Sequence, residues 1–328
     1  VVVCVPPGLR RQLFTDQVWA GLAGAADLTV LDAHTDRTAL AAALPGARVL
    51  ITSWGAPRID ADLLAAADQL TLIAHTGSAV APYVTEDVFR RGVTVTQAGD
   101  AMARSVAEVA LAFTLTLLHR IHRFDHALHA GADWDAATDA PPRHEISGAT
   151  IGVIGASRTG RAYIDLVRAL GADVTVTDPY LTPERASRLG ARLLPLDDLL
   201  RRSRIVAVHA PATPDTHHLL DARRLALLPD GAGLVNTARS WLVDERALLA
   251  ELGTGRIDAA IDVFDQEPLP TDHPLRTLRN VLLTPHQAAA TTECRQRLGE
   301  TATADVLRHL GGEQPLHAVG PETLARLF

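Results

Sequence analysis

No lysine occurs in the 328 residues: all 31 cationic side chains are arginine. That absence excludes a P-loop lysine on a nucleotide phosphate, a Schiff-base lysine for pyridoxal phosphate and the strand lysine of a protein kinase. Cysteine is nearly as scarce. Cys4 and Cys294 stand at opposite ends, with no C-x-x-C pair and no metal-ligand spacing, so no metal site is expected of them and a reducing, cytoplasmic setting is. Positive charge is short as well. A net charge of -7 with no basic stripe gives nothing to track a phosphate backbone, and nucleic acid is not an expected partner. No charge-free apolar run of ~18 residues is present, so no membrane partner is expected either. The opening run Val1–Val5 is stopped by Pro6-Pro7 and lacks the charged start and length of a secretion signal.

What is there is ordinary globular material, 47% hydrophobic and 21% charged, enough for two domains with cores of their own. Short β-rich runs alternate with Ala/Leu-rich runs of helical character such as Ile59–Asp68. The first series of strands is expected at Val1–Val5, Asp27–Leu31, Ala47–Thr52, Leu70–His75 and Thr94–Thr96. The second is expected at Thr150–Ile154, Asp173–Thr177, Ile205–His209, Gly233–Asn236, Ala259–Val263 and Val281–Leu283. Such alternation is the mark of parallel βαβ units. One long helix, Ala101 to about Arg123, links the series, a loop covers Gly131–Ser147, and a last helix runs from Thr292 to Leu310 before Gly311-Gly312. The fold class expected is α/β with two doubly wound parallel-sheet domains.

Residues 150–178 read strand, glycine turn, helix, strand, Asp, which is the context a dinucleotide-binding turn requires. Gly155 makes the tight turn and Gly160 lets helix and strand approach. Backbone N–H groups around Arg158 and Thr159 face a pyrophosphate, and Asp178 accepts from ribose hydroxyls. Ser157 stands where the middle glycine of the pattern belongs, small enough to admit the phosphate and able to donate to it. An ordinary βαβ turn remains the alternative on this segment alone. Three further segments follow strands of the same series and carry Arg239, Glu267 and His286. Ligands gather at the carboxyl ends of parallel strands, so these three converge: a cation for an anionic substrate, a proton donor, and a carboxylate to tune it.

In these motifs the chain resembles the D-isomer-specific 2-hydroxyacid dehydrogenases. The resemblance runs through Val106-Ala-Glu108, His209-Ala210-Pro211 with Thr216, Asn236-Thr237-Ala238-Arg239, Asp262 to Pro268, and Thr284-Pro-His286. It implies a Rossmann-type NAD domain at 101–290 and a flavodoxin-like substrate domain at 1–100, completed by 291–328, with a cleft between them. It also implies His286 as acid/base, Glu267 as its partner, and Arg239 on the substrate's carboxylate and 2-oxo group. Asp262 lies near the nicotinamide carboxamide, and Thr237, Ala238, His209, Ala210, Pro211, Thr216 and Ala288 line the cofactor. The turn His75-Thr-Gly77-Ser78-Ala79 holds the substrate carboxylate through its N–H groups. NAD is preferred over NADP because Asp178 repels a 2′-phosphate and Pro179-Tyr180 offers no cation. A homodimer through the Rossmann domain is implied, with Leu111–Ala130 and the loop after it contributing.

The sequence departs from that family at Gln97-Ala-Gly-Asp100-Ala-Met102, at Ala289, where glycine is commoner, and at Trp241, where a small residue is usual. Substrate identity is thus left open. Two other activities share the fold: a non-enzymatic NAD(H)-sensing corepressor-like protein, and a formate- or phosphite-type dehydrogenase. His119, His122, His126 and His129 would share one face of a continuous helix, a conceivable metal site set against a plain solvated face. Arg104 and Glu108, four apart, are expected to form a local ion pair.

Overall fold

The computed structural model describes residues 1–325. The last three positions of the expected substrate domain lie outside the described residues. The chain divides into two compact units, Val1–Met102 with the chain from Ala290 onward, and Ala103–Ala289.

In the first unit, five parallel strands form one sheet: β1 (Val2–Cys4), β2 (Thr29–Val30), β3 (Val49–Thr52), β4 (Leu72–His75) and β5 (Thr94–Gln97). Their spatial order is β5-β4-β3-β1-β2, the flavodoxin-like winding. A two-residue strand, Ala318–Val319, adds antiparallel to the free edge of β5. It was not anticipated: two residues carry no periodicity to read. The central strands β1, β3 and β4 are buried along their whole length because helices cover both faces. Val2, Cys4, Leu50, Ile73 and Val95 meet Leu40, Leu63 and Val88 in the core. The helix Thr292–Leu310 is capped by Thr291, whose Oγ1 accepts from Cys294 N at 3.2 Å.

The second unit holds a seven-stranded parallel sheet: β6 (Thr150–Ile154), β7 (Asp173–Thr177), β8 (Arg192–Leu193), β9 (Ile205–Val208), β10 (Gly233–Asn236), β11 (Asp258–Ile261) and β12 (Val281–Leu283). The order is β12-β11-β10-β9-β6-β7-β8, the doubly wound Rossmann arrangement with one extra strand at its end. Cores fill both faces, one built on Val206, Val208, Leu234, Leu225 and Leu248, the other on Ile151, Val153, Val235, Phe113 and Tyr163. Each such side chain contributes ~1.5–3 kcal/mol on burial. Gly99–Leu118 is long and apolar enough by composition to cross a membrane. Within this unit Ala107, Ala110, Phe113 and Leu117 are buried in the core.

The expected helix from Ala101 to Arg123 is broken. An α-helix spans Ala103–Leu118 and a second spans Ile121–His129, with Arg120 between them in the left-handed region at φ 56°. Tertiary bonds set the break. The Arg120 side chain is 2% exposed and donates to Asp258 Oδ2 at 2.8 Å and to the Gly231 carbonyl at 2.7 Å. The loop expected over Gly131–Ser147 contains a short helix, Trp134–Thr138, whose N-terminus Asp133 caps by accepting from Ala136 N.

Candidate active site

The glycine turn sits where the strand order of the second sheet reverses, between β6 and β9. Gly155 has φ 93°, and a Cβ there would lie 2.6 Å from Ala210 N. A Cβ on Gly160 would run into the Gly155 carbonyl. Both positions require glycine. Ser157 is the N-cap of the helix Arg158–Ala169, and its Oγ accepts from Gly160 N at 3.2 Å. The departure from the glycine pattern therefore serves as a helix cap, and the first-turn N–H groups of Arg158 and Thr159 project from that helix end.

Asp178 closes the same crevice from the end of β7. Its Oδ2 accepts from Ala156 N and its Oδ1 from Tyr180 N, each at 2.8 Å. The carboxylate thus braces the turn while each oxygen keeps a second lone pair. Beyond β9, Thr216 Oγ1 donates to the Pro211 carbonyl at 2.8 Å and accepts from Thr213 N at 2.8 Å. These bonds fix the loop carrying Ala210 and Pro211. His209 is a wall. It is buried against the Tyr163 ring at 4.9 Å, and neither of its ring nitrogens has a partner among the described residues. Burial pushes its pKa down to about 3, so the ring is neutral. Backbone donors, glycine clearances and a carboxylate at the end of β7 fit a dinucleotide.

After β10, Asn236 shapes the next loop. Its Nδ2 donates to the Arg239 carbonyl at 2.9 Å and its Oδ1 accepts from Ala238 N at 3.1 Å. The Arg239 guanidinium donates to the Ala238 carbonyl at 2.6 Å. Burial lowers its pKa, and the charge of Glu267 opposes the shift. The Thr237 hydroxyl is buried without a partner among the described residues. Trp241 is pinned, its Nε1 donating to the Thr213 carbonyl at 2.9 Å and its ring 4.0 Å from that of His217.

Asp262, wholly buried at the end of β11, accepts from Gln287 N at 2.9 Å and Ala288 N at 3.0 Å, and from the Thr284 hydroxyl. All three donors belong to the segment that carries His286. Ala288 is held from its other side, its carbonyl accepting from Ser105 Oγ at 2.8 Å. So clamped, His286 takes φ 53°, a left-handed conformation uncommon outside glycine. Its Nδ1 donates to Glu267 Oε2 at 2.7 Å, while Glu267 Oε1 accepts from Phe264 N at 3.0 Å. The structure thus brings Glu267 and His286 into direct contact and ties Asp262 to their loop. Asn236 and Thr284 stood in the quoted motifs without a role of their own, and Ser105 was not singled out, because a hydroxyl that bonds only a distant backbone carbonyl has no spacing signature.

In the first unit the turn after β4 puts Gly77 in the buried region and Ser78 at the surface. The four histidines do not form a metal set. The helix break separates His119 from the rest, His122 Nε2 lies 3.0 Å from Asp258, His126 Nδ1 lies 3.3 Å from the Arg279 carbonyl, and His129 pairs with Asp125. No group of three or more metal-capable side chains occurs among the described residues. Arg104 and Glu108 do form their ion pair.

Residues 111–288 match the family model described as "D-isomer specific 2-hydroxyacid dehydrogenase, NAD binding domain". The cofactor of this unit is NAD. Over 279 residues the chain is 39% identical to D-3-phosphoglycerate dehydrogenase of Mycobacterium leprae, covering 85% of this chain and 52% of that relative. It thus spans about half the length of the phosphoglycerate dehydrogenases it matches. It is 34% identical over 272 residues to glyoxylate reductase of Aeropyrum pernix, covering 81% of both. A Thermus thermophilus protein of solved structure superposes with a TM-score of 0.82 at 30% identity, covering 97% of this chain and all of the other.

Proposed function

The chain belongs to the D-isomer-specific 2-hydroxyacid dehydrogenase family, and from that premise we propose that it interconverts a 2-oxo acid and a D-2-hydroxy acid. The observation that carries the reading is the Glu267–His286 pair at 2.7 Å, set beside Arg239 in the NAD-binding unit. Bound NAD supplies the hydride acceptor or donor. The rest falls to the chain. With Nδ1 donating to the Glu267 carboxylate, His286 offers Nε2 as the proton-carrying atom. In reduction that nitrogen gives a proton to the substrate oxygen, and Glu267 stabilises the ring while it is charged. Arg239, largely withdrawn from water, exchanges its bond to the Ala238 carbonyl for a carboxylate, a charge-assisted and stronger acceptor. In the first unit, Gly77, Ser78 and Ala79 offer backbone N–H groups suited to a carboxylate. Asp262 acts by holding the His286 loop.

The test is NADH oxidation with a panel of 2-oxo acids by the wild type and by His286→Ala. Turnover by the wild type alone is expected. NADH binding without turnover of any acid would instead favour a sensing role, and NAD reduction by formate or phosphite alone would favour the one-carbon or phosphorus chemistry. We further propose a cytoplasmic homodimer.

A further inference from the structure

At the carboxyl edge of the first sheet, where open parallel sheets receive ligands, the segments that follow β3 and β4 form an aromatic rim. The chain leaves β3 into Ser53 and Trp54, and leaves the neighbouring β4 into the turn at 75–79, with Thr52 and His75 directly paired. Gly77 is sandwiched there. A Cβ on it would lie 2.7 Å from His75 Nε2 on one side and 3.2 Å from Trp54 Cζ2 on the other. The indole, 42% exposed, thus lies against the turn's backbone. Behind it, His75 stacks on Tyr83 at 4.4 Å and meets Trp54 edge-on at 6.3 Å.

The polar groups of this rim are mostly spent on one another. Thr76 Oγ1 donates to Ser53 Oγ at 2.8 Å, and Thr52 Oγ1 lies 3.0 Å from His75 Nδ1. His75 is the only ionisable side chain in residues 53–57 and 75–82, neither segment holding an arginine or an acid. Burial pushes its pKa down to about 3, so at neutral pH it adds no charge. A phosphate or a second carboxylate is recognised by a fixed cation, in practice a forked arginine. A flat, half-exposed indole instead offers apolar area.

We propose that the acid handled by this chain carries an uncharged, apolar or aromatic side chain seated on the Trp54 indole, not a phosphate or a second carboxylate. The proposal rests on the reading of the chain as a 2-oxo acid dehydrogenase. It sets the chain apart from the relatives named for phosphoglycerate, despite 39% identity.

The experiment compares kcat/KM for phenylpyruvate, 4-methyl-2-oxopentanoate, glyoxylate, oxaloacetate and 3-phosphooxypyruvate in the wild type, Trp54→Ala and Trp54→Phe. The two apolar acids are expected to exceed the phosphorylated and dicarboxylic ones by about tenfold or more. Trp54→Ala should lower the phenylpyruvate-to-glyoxylate ratio about tenfold, and Trp54→Phe should restore most of it. A wild-type preference for 3-phosphooxypyruvate would overturn the proposal. So would an unmoved ratio in a Trp54→Ala protein of unchanged Tm. Absence of turnover with every acid would defeat the dehydrogenase reading by itself. Calorimetry on the NAD-loaded protein then decides this one: phenylpyruvate binding weakened by Trp54→Ala upholds it, and equal or tighter binding of the phosphate ester overturns it.

Discussion

His286 Nδ1 donates to Glu267 Oε2 at 2.7 Å, and both residues are anchored by backbone bonds made elsewhere in the same unit. Glu267 takes the Phe264 N–H on its other oxygen, and the His286 loop is clamped by Asp262. A histidine so placed owes its position to the fold and not to a substrate, which is the preorganisation that the proposed acid/base role needs.

His286→Ala is therefore expected to lower kcat by on the order of 10²–10⁴, the usual worth of a positioned acid or base. Glu267→Gln keeps nearly the same shape but removes the charge that stabilises the charged ring, so kcat should fall there too. NADH affinity should change little in either variant, because the proposed dinucleotide cradle is built on Gly155, Ser157–Gly160 and Asp178. Stopped-flow turnover set beside fluorescence titration of NADH separates the two quantities. Near-normal turnover by His286→Ala would remove it from the proposed role.

Much of this arrangement was legible in the sequence, for identifiable reasons. The strands Thr150–Ile154, Asp173–Thr177, Gly233–Asn236 and Val281–Leu283 were delimited to the residue, since each is a short β-rich run bounded by turn residues or charge. Two-residue strands such as Arg192–Leu193 gave no pattern. The break at Arg120 was invisible because apolar spacing continues across it. What stops the helix is Asp258, well over a hundred residues away, which no local reading includes. The same break takes His119 off the helix that carries His122, His126 and His129. At the site, residue types in motifs announced Arg239, Glu267 and His286. Asn236 and Thr284 stood in those motifs too, but their roles as clamps emerged only with their partners, the 238–239 backbone and the Asp262 carboxylate.

Asp258 sets an acid limit on the stability of the second unit. It is 1% exposed, with Arg120, Arg123 and His122 around it at 2.8, 2.5 and 3.0 Å. Burial by itself would raise its pKa, but hydrogen bonds from His122 and Arg123 and the charges of Arg120 and Arg123 outweigh it and bring the value down from 3.8 to about 2. A folded value below the unfolded one means that the contribution is complete above pH ~4 and is lost as pH falls towards 2; for a shift of this size it is about 2–3 kcal/mol. Urea unfolding between pH 7 and 2 should show that fall. Asp258→Asn should be destabilised at neutral pH by roughly 3–5 kcal/mol, from two arginines left without their carboxylate, and should have a flatter acid limb. Parallel acid limbs in the two proteins would contradict the assignment.

Cofactor choice should turn on Asp178. Its carboxylate repels a 2′-phosphate, so kcat/KM with NADH should exceed that with NADPH. Asp178→Ala should narrow the gap by about tenfold, mainly through weaker NADH binding, since a hydrogen bond to a charged group is worth about 1.5–3 kcal/mol. The variant also loses the brace to Ala156 N and Tyr180 N, so the comparison belongs at matched folded fraction, checked by circular dichroism. Equal efficiency of the wild type with the two cofactors would refute the preference.

Assembly should depend on the two helices after the break. Ile121 and Leu128 are about half exposed and Trp134 is 75% exposed, three large apolar side chains on neighbouring helices of one unit. In the proposed homodimer these apolar side chains would be covered. The region falls within Leu111–Ala130 and the segment following it, where the family resemblance places subunit contact. Light scattering at micromolar concentration should therefore give a dimer mass. Leu128→Asp with Trp134→Asp should give a monomer that keeps the Rossmann core, because neither side chain is part of it, while lowering the concentration dependence of Tm. A wild type that is monomeric at those concentrations would rule out this surface as a subunit contact.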